Sequence, residues 1–575
     1  LVAGWRVAGL SRHGRGHRQL AILRNGQARV VTHAANDVVD FAWRPDGAAI
    51  AYAAYDPASR ADFFEPGAGD YTQTAPTPAE HLWLLSLAGD SVRRLTHGSW
   101  TIAPTDPGGI FTSQFAWSSN GRRIYYTKVA TTWSGADEFS TIESLDVATE
   151  RVRDVTGRDR FELAPQPMGA RLAYWYPENG QYLAQNQLHV ISNGHDRVVS
   201  RALDRNVGGT QWMPGGKAFL ACGDDGAHGA AWSIGVDGSI ERLTLGGLTM
   251  VCDSYSDGTF DSGIAASIAR NGTLAFVATD ARHARELYVV RSLHDPRPPR
   301  RLTHFNDWLE GVQLGRTTQF RWSGPHREPE TGVLIYPPGM RLRQRYPIVV
   351  FIHGGPGEAS IDSFVWESWP MAQLIAARGF LVFQPNYRGS DDHGNAFMLG
   401  IYRDTVAGPA ADILSGLAAV KALPQADPAR VAVCGWSYGG LLTSWLIAQR
   451  HDWRAAVSGA AVNDEREEYD LSTSNVQDRY YLGTSPYAPG GALIYEQQSP
   501  LTYAAAVTTP TLIWSTTGDP VVPTTMSYSF FHALHERGVP SAFVEYVAAS
   551  HGPDTPVMVE ELSTRWLAWL NHYLR

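Results

Sequence analysis

The chain has 575 residues, more than one hydrophobic core usually organises, and 44% of them are hydrophobic, so a soluble protein of two domains is expected. No window approaches the long uncharged apolar run of a membrane span. A net charge of −9 without a basic stripe argues against nucleic acid as a partner.

The chain begins at Leu1 with neither an initiator Met nor a charged-then-apolar leader. A removed signal peptide or a trimmed terminus leaves the compartment open, cytoplasmic or exported. A degenerate repeat then runs through the first part of the chain. Phe41-Ala42-Trp43-Arg44-Pro45-Asp46-Gly47 precedes Ile50-Ala51-Tyr52, and Phe115-Ala116-Trp117-Ser118-Ser119-Asn120-Gly121 precedes Ile124-Tyr125-Tyr126. Weaker copies stand at Pro167-Met168-Gly169, Trp212-Met213-Pro214-Gly215-Gly216 and Arg270-Asn271-Gly272. Between them run strands ending in Val30-Val31-Thr32, Arg94-Leu95-Thr96, Asp154-Val155-Thr156, Arg242-Leu243-Thr244 and Arg301-Leu302-Thr303. Strand, Asn/Asp-Gly turn and strand recur at a spacing near the roughly 40–50 residues of a four-stranded blade. This predicts a β-propeller over residues 1–322.

Three cysteines, Cys222, Cys252 and Cys434, make no disulfide framework. A bridge between Cys222 and Cys252 is open to an exported protein, but unbridged thiols are the expectation, and Cys434 is read as a buried structural thiol. His13, His17, His33, His97, His195, His283 and His304 fall on predicted turns or loops without ligand spacing, so no metal site is expected. Glycine pairs after Pro107 and Val207 lack the strand-to-helix context of a phosphate loop, and no cofactor is expected.

Residues 323–575 read as an α/β domain with a doubly wound, mostly parallel sheet. The apolar run Tyr346-Pro347-Ile348-Val349-Val350-Phe351-Ile352 ends in His353-Gly354-Gly355-Pro356-Gly357, a turn able to aim a backbone N–H at a developing oxyanion. The amide of Gly355 takes that role, with the amide of Tyr438 as its partner. Val431-Ala432-Val433-Cys434-Gly435-Trp436-Ser437-Tyr438-Gly439-Gly440 is a strand running into a G-x-S-x-G nucleophile elbow, with a helix starting near Leu441. Pro510-Thr511-Leu512-Ile513-Trp514-Ser515 predicts another buried strand, with Asp519 beyond its end. Phe543-Val544-Glu545-Tyr546-Val547 is a further strand followed by a loop with His551, and an amphipathic helix around Val559–Tyr573 closes the chain. Loops beyond the carboxyl ends of strands converge in such sheets, so Ser437, Asp519 and His551 are expected to meet as a catalytic triad.

Five motifs in this order carry a resemblance. His353-Gly354-Gly355-Pro356, Asn386-Tyr387-Arg388-Gly389-Ser390, Gly435-Trp436-Ser437-Tyr438-Gly439-Gly440, Gly518-Asp519 with Val522-Pro523, and Ser550-His551-Gly552 are similar to the successive motifs of the prolyl oligopeptidase family of serine peptidases. The resemblance covers roughly residues 325 to 575 and leans toward its acylaminoacyl-peptidase and dipeptidyl-peptidase branches. It implies a propeller of about seven blades covering the active site, and short peptides as substrates. It also implies a specificity pocket lined by aromatics after the nucleophile helix, for which Tyr469, Tyr480 and Tyr481, with Val522, are the candidates. Arg388 would organise the loop beneath the nucleophile, Asp412 would tie its helix to a cation such as Arg388, and His353 would be structural.

Two departures stand out. Val521 occupies the place, two residues after the triad aspartate, where several relatives carry a carbonyl-binding arginine or asparagine. The paired glutamates that grip a free amino terminus in the dipeptidyl branch have no convincing counterpart: Asp137-Glu138 reads as a solvated turn, and Glu467-Glu468 lies in the hydrolase region. A carboxylesterase with the same triad and a noncatalytic peptide-binding propeller are the alternatives, the second weakened by the intact Ser437, Asp519 and His551. A homo-oligomer is compatible with the sequence.

Overall fold

The glycines that end the repeats close tight turns between strands. In the computed structural model the described residues are 6–12, 16–57, 78–103, 113–132, 139–158, 160–253, 263–293, 295, 297–341, 343–364 and 371–575. Gly47, Gly121, Gly216 and Gly272 all have positive φ, and each donates its N–H to a carbonyl three residues back, on Arg44, Ser118, Met213 and Ala269. Glycine takes this backbone region without a Cβ penalty, so turn geometry dictates the repeat's last letter.

Between Arg6 and Arg301 the described residues form six antiparallel sheets in chain order and one two-stranded ladder. Five of the sheets have four or five strands and are the blades of a propeller-like ring; the first, Arg6–Arg12, Arg18–Arg24 and Gln27–Val30, has three. About seven blades were expected from the resemblance. The repeated residues join blades as well as build them. Trp117 donates its indole N–H to the Ala42 carbonyl of the preceding blade at 3.0 Å, and Trp212 does the same to Gln166 at 2.9 Å. The threonines at the strand ends have a shared task too. Thr32, Thr96 and Thr303 accept the N–H of Leu20, Leu82 and Leu287 at 2.9, 2.8 and 2.8 Å, satisfying an amide that the sheet ladder leaves over.

Cys222 and Cys252 are bonded to each other, with Cα atoms 5.9 Å apart, which corrects the expectation of unbridged thiols. Their spacing gave no hint because the bridge links different sheets: Cys222 lies on Ala218–Asp224, and Cys252 follows a strand of the next blade, packed in the same apolar cluster. Cys434 is free and buried, as expected.

The second sheet has eight strands: β1 (Arg316–Ser323), β2 (Pro329–Tyr336), β3 (Tyr346–Ile352), β4 (Leu381–Pro385), β5 (Ala426–Trp436), β6 (Ala455–Gly459), β7 (Thr511–Thr516) and β8 (Ser541–Tyr546). Their order is β1-β2-β4-β3-β5-β6-β7-β8, with the β1–β2 and β2–β4 pairs antiparallel and the remaining pairs parallel. Strand β1 pairs with this sheet, so the sheet starts at Arg316, ahead of the 322/323 division expected from the sequence.

Helices cover both faces, as near-continuous apolar strands require. Alternate residues of β3 show the two sides: Ile348, Val350 and Ile352 pack with helices α2 (Ala407–Lys421) and α3 (Tyr438–Gln449), whereas Val349 and Phe351 pack with α1 (Met371–Ala377) and the terminal helix Pro556–Leu574. The ring meets this domain partly through main-chain bonds, Gly226 N–H to Asp392 O at 2.9 Å, Asp362 N–H to Ala227 O at 2.9 Å and Phe364 N–H to Asp280 O at 2.7 Å. Among the described residues no helix is long and apolar enough to cross a membrane.

The bridge closes a 30-residue separation. Replacing both Cys222 and Cys252 with Ser is expected to cost about 3–4 kcal/mol of stability on the chain-entropy model. Thermal unfolding of the oxidised wild type and the double variant checks this, and superimposable melts would count against it.

Candidate active site

Strand β5 ends at Trp436 and helix α3 starts at Tyr438, three residues earlier than the sequence suggested, which leaves Ser437 alone on the corner. Its backbone sits at φ 60° and ψ −127°, a sparsely populated region that only over-determined surroundings maintain. Close backbone approach supplies those surroundings. A Cβ on Gly435 would lie 2.3 Å from the Gly439 carbonyl oxygen, one on Gly439 2.3 Å from that of Ile352, and one on Gly440 2.5 Å from that of Gly459. The Ser437 N–H also donates to Gly459 O at 3.0 Å.

The glycine turn after β3 lies directly against the serine: a Cβ on Gly354 would be 3.4 Å from Ser437 Cβ. Next to it Gly355, at φ 102°, shares a cavity with Ser437 and Tyr438. His353 braces this turn from beneath. Its Nδ1 bonds Gly354 O at 2.8 Å and its Nε2 bonds Ser390 Oγ at 3.0 Å, while the ring stacks on Tyr387 at 4.4 Å. Nδ1 donates to the carbonyl, and in the neutral ring Nε2 then accepts from the serine. Burial agrees, pulling the imidazole down to about 4.

Asp519, fully buried, divides its two oxygens. Oδ1 accepts the N–H groups of Val521 and Val522, both at 2.9 Å, and Oδ2 takes His551 Nδ1 at 2.7 Å. Val521 thus serves the site through its backbone amide. The His551 loop is pinned by Trp436, whose indole N–H donates to the His551 carbonyl at 3.0 Å and whose ring lies 4.9 Å from the imidazole. His551 Nε2 is buried with no hydrogen-bond partner among the described residues, so the contact to Ser437 Oγ is not closed. Both side chains line the same cavity. Such contacts commonly tighten only around substrate.

Of the expected pocket residues, Tyr481 and Val522 line this cavity. Tyr480 instead stacks on Tyr182 of the ring at 4.5 Å and accepts a hydrogen bond from Arg160, while Tyr469 packs edge-on against Tyr495. Both serve packing because their rings find partners outside the cavity. Asp137-Glu138 lies outside the described residues. Three acids also line it: Glu465 and Glu468 on α4 (Glu465–Leu471) and Asp478 on α5 (Asn475–Tyr481), of which the sequence had singled out Glu468 alone, as part of an acidic pair in the hydrolase region. Burial raises all three carboxyls, Glu465 to about 8, and their mutual repulsion pushes Glu468 and Asp478 further up.

Arg388 clamps buried Asp412 of α2, Nε to Oδ2 at 2.8 Å and a terminal nitrogen to Oδ1 at 2.6 Å, as the sequence suggested. Glu328, Glu330 and Asp412 bring oxygens close enough together for a metal ion, but the cation in this group is Arg388, whose guanidinium lies 3.9 Å from Glu328 and 2.6 Å from Asp412.

The Glu465 carboxyl, ordinarily near 4.5, titrates at about 8 in the folded protein. Between those values the native state holds a proton that the unfolded chain has released, so stability falls as pH rises from about 4.5 and levels off above about 8. Glu465→Gln should make that fall shallower in denaturant titrations across this range. An unaltered slope would remove Glu465 from the account.

Comparison with known proteins fits these features. Residues 366–575 match the prolyl oligopeptidase family. The chain is 25% identical over 381 residues to the uncharacterized peptidase YuxL of Bacillus subtilis, covering 64% of this chain and 54% of that protein. It is 24% identical over 433 residues to dipeptidyl-peptidase 5 of Aspergillus oryzae, covering 71% and 55%. The chain therefore spans about half the length of these curated relatives. The solved structure of Pyrococcus horikoshii acylaminoacyl peptidase matches with a TM-score of 0.80 at 18% identity, over 99% of this chain and 87% of that one, and so shares its fold. The segment that carries the elbow serine and the histidine–aspartate pair is thus the one that matches the prolyl oligopeptidase family, over residues 366–575.

Proposed function

We propose that the chain is a serine peptidase that hydrolyses short peptides through an acyl-enzyme. The observation that carries this reading is the 2.7 Å bond from His551 Nδ1 to Asp519, with Nε2 left unpartnered in the cavity that also holds Ser437. Because Asp519 accepts from Nδ1, the neutral ring carries its proton there, and Nε2 is the basic nitrogen. His551 Nε2 takes the Ser437 proton as Oγ attacks the substrate carbonyl, and Asp519 stabilises the imidazolium. The amides of Tyr438 and Gly355 hold the oxyanion, each worth roughly 3 kcal/mol of barrier. The imidazolium protonates the leaving amine, and water releases the acyl group by the same steps.

The ring, in this proposal one of about seven blades ending before Arg316, covers the site and limits access to short peptides. The names of the relatives, dipeptidyl-peptidase and acylaminoacyl peptidase, favour exopeptidase-like cleavage here. A panel of peptidyl anilides with free and with blocked amino termini tests this. Anilide bonds separate a peptidase from an esterase, and the two sets separate dipeptidyl, acyl-peptide and internal cleavage. Ser437→Ala should abolish turnover in folded protein, and Asp519→Asn should lower kcat by about 10⁴-fold through the wrong histidine tautomer. Full activity in Ser437→Ala would reject the assignment.

A further inference from the structure

The cavity beside Ser437 is walled by Leu441, Val462, Tyr481 and Val522, yet it also holds Glu465, Glu468 and Asp478. Glu465 and Glu468 stand three apart on α4, on one helix face, and Asp478 comes from the first turn of α5. The three are 5%, 4% and 8% exposed. Glu468 Oε2 and Asp478 Oδ2 are buried without a hydrogen-bond partner among the described residues, and Glu465 accepts from Thr405 Oγ1 at a long 3.3 Å. Among the described residues no basic side chain forms an ion pair with any of them. A pocket for an apolar side chain gains nothing from three buried acids, which weaken it unless a cation joins them.

The cavity volume, about 230 Å³, is below the roughly 300–1,000 Å³ of sites for whole small molecules and suits a single side chain. Apolar walls accommodate a methylene stem, and carboxylates satisfy a charged head with several N–H donors. We propose that this cavity is the specificity pocket and takes the cationic side chain, lysine or arginine, of the residue whose carbonyl Ser437 attacks. The assignment rests on the peptidase reading above. Burial keeps the acids largely protonated when no cation is near, and its entry releases protons to solvent as the carboxylates form.

The test compares kcat/KM for peptidyl anilides that differ only in that residue: lysine and arginine against alanine and phenylalanine. The wild type should favour the cationic pair by roughly 10-fold or more, and Glu468→Gln or Asp478→Asn should each cut the ratio by roughly 10- to 100-fold, the worth of a hydrogen bond to a charged group. Calorimetry of agmatine binding to Ser437→Ala protein, with and without Glu468→Gln, reads the pocket apart from turnover. Preference for neutral residues, or a ratio unmoved by both substitutions, overturns the proposal. Agmatine binding that Glu468→Gln abolishes, in an enzyme that cleaves no anilide, keeps the pocket and discards the peptidase. Cleavage without preference and no agmatine binding does the reverse. If one variant does not fold, the other and agmatine inhibition of the wild type decide.

Discussion

The corner at Ser437 depends on how closely four backbone segments approach one another. Gly435, Gly439 and Gly440 let the end of β5, the start of α3 and the ends of β3 and β6 come within distances that any Cβ would forbid. This contact holds Ser437 in a conformation a free chain avoids, at the wall of the cavity. It also brings the Gly354-Gly355 turn against the serine. Ser437 and the turn proposed to donate to the oxyanion are thus placed by the same packing.

A second constraint is electrostatic. Asp519 is buried, and both oxygens are committed, one to two backbone amides and the other to the imidazole. The amides keep the carboxylate from rotating, so the histidine is oriented by rigid backbone. The neighbouring acids have no such support. Glu468 and Asp478 sit in the same low-dielectric region with oxygens unpaired, and burial raises them instead of ionising them. Asp519 thus has donors for both of its oxygens, whereas Glu468 and Asp478, which line the cavity, each keep one oxygen without a donor among the described residues.

What was legible in the sequence follows a physical rule. Glycines that permit a close approach or a positive φ leave local signatures, so the elbow and the Asp/Asn-Gly turns could be read directly, as could the order Ser437, Asp519, His551. The Arg388–Asp412 clamp could be anticipated because an arginine just past a strand and an aspartate on the next helix carry opposite charges. Features set by distant packing were not. The Cys222–Cys252 bridge depends on two blades lying side by side, Tyr480 found its partner Tyr182 on the ring, and the burial of Glu465 and Glu468 is set by the fold around their helix.

The seam between ring and hydrolase is stitched in part by amides and carbonyls, at Gly226 with Asp392, Asp362 with Ala227 and Phe364 with Asp280. Every residue but proline brings those groups whatever its side chain. Evolutionary drift can therefore replace side chains along the seam without unpicking it, and two chains sharing only 18% of their residues can keep the same docked arrangement over nearly their whole length.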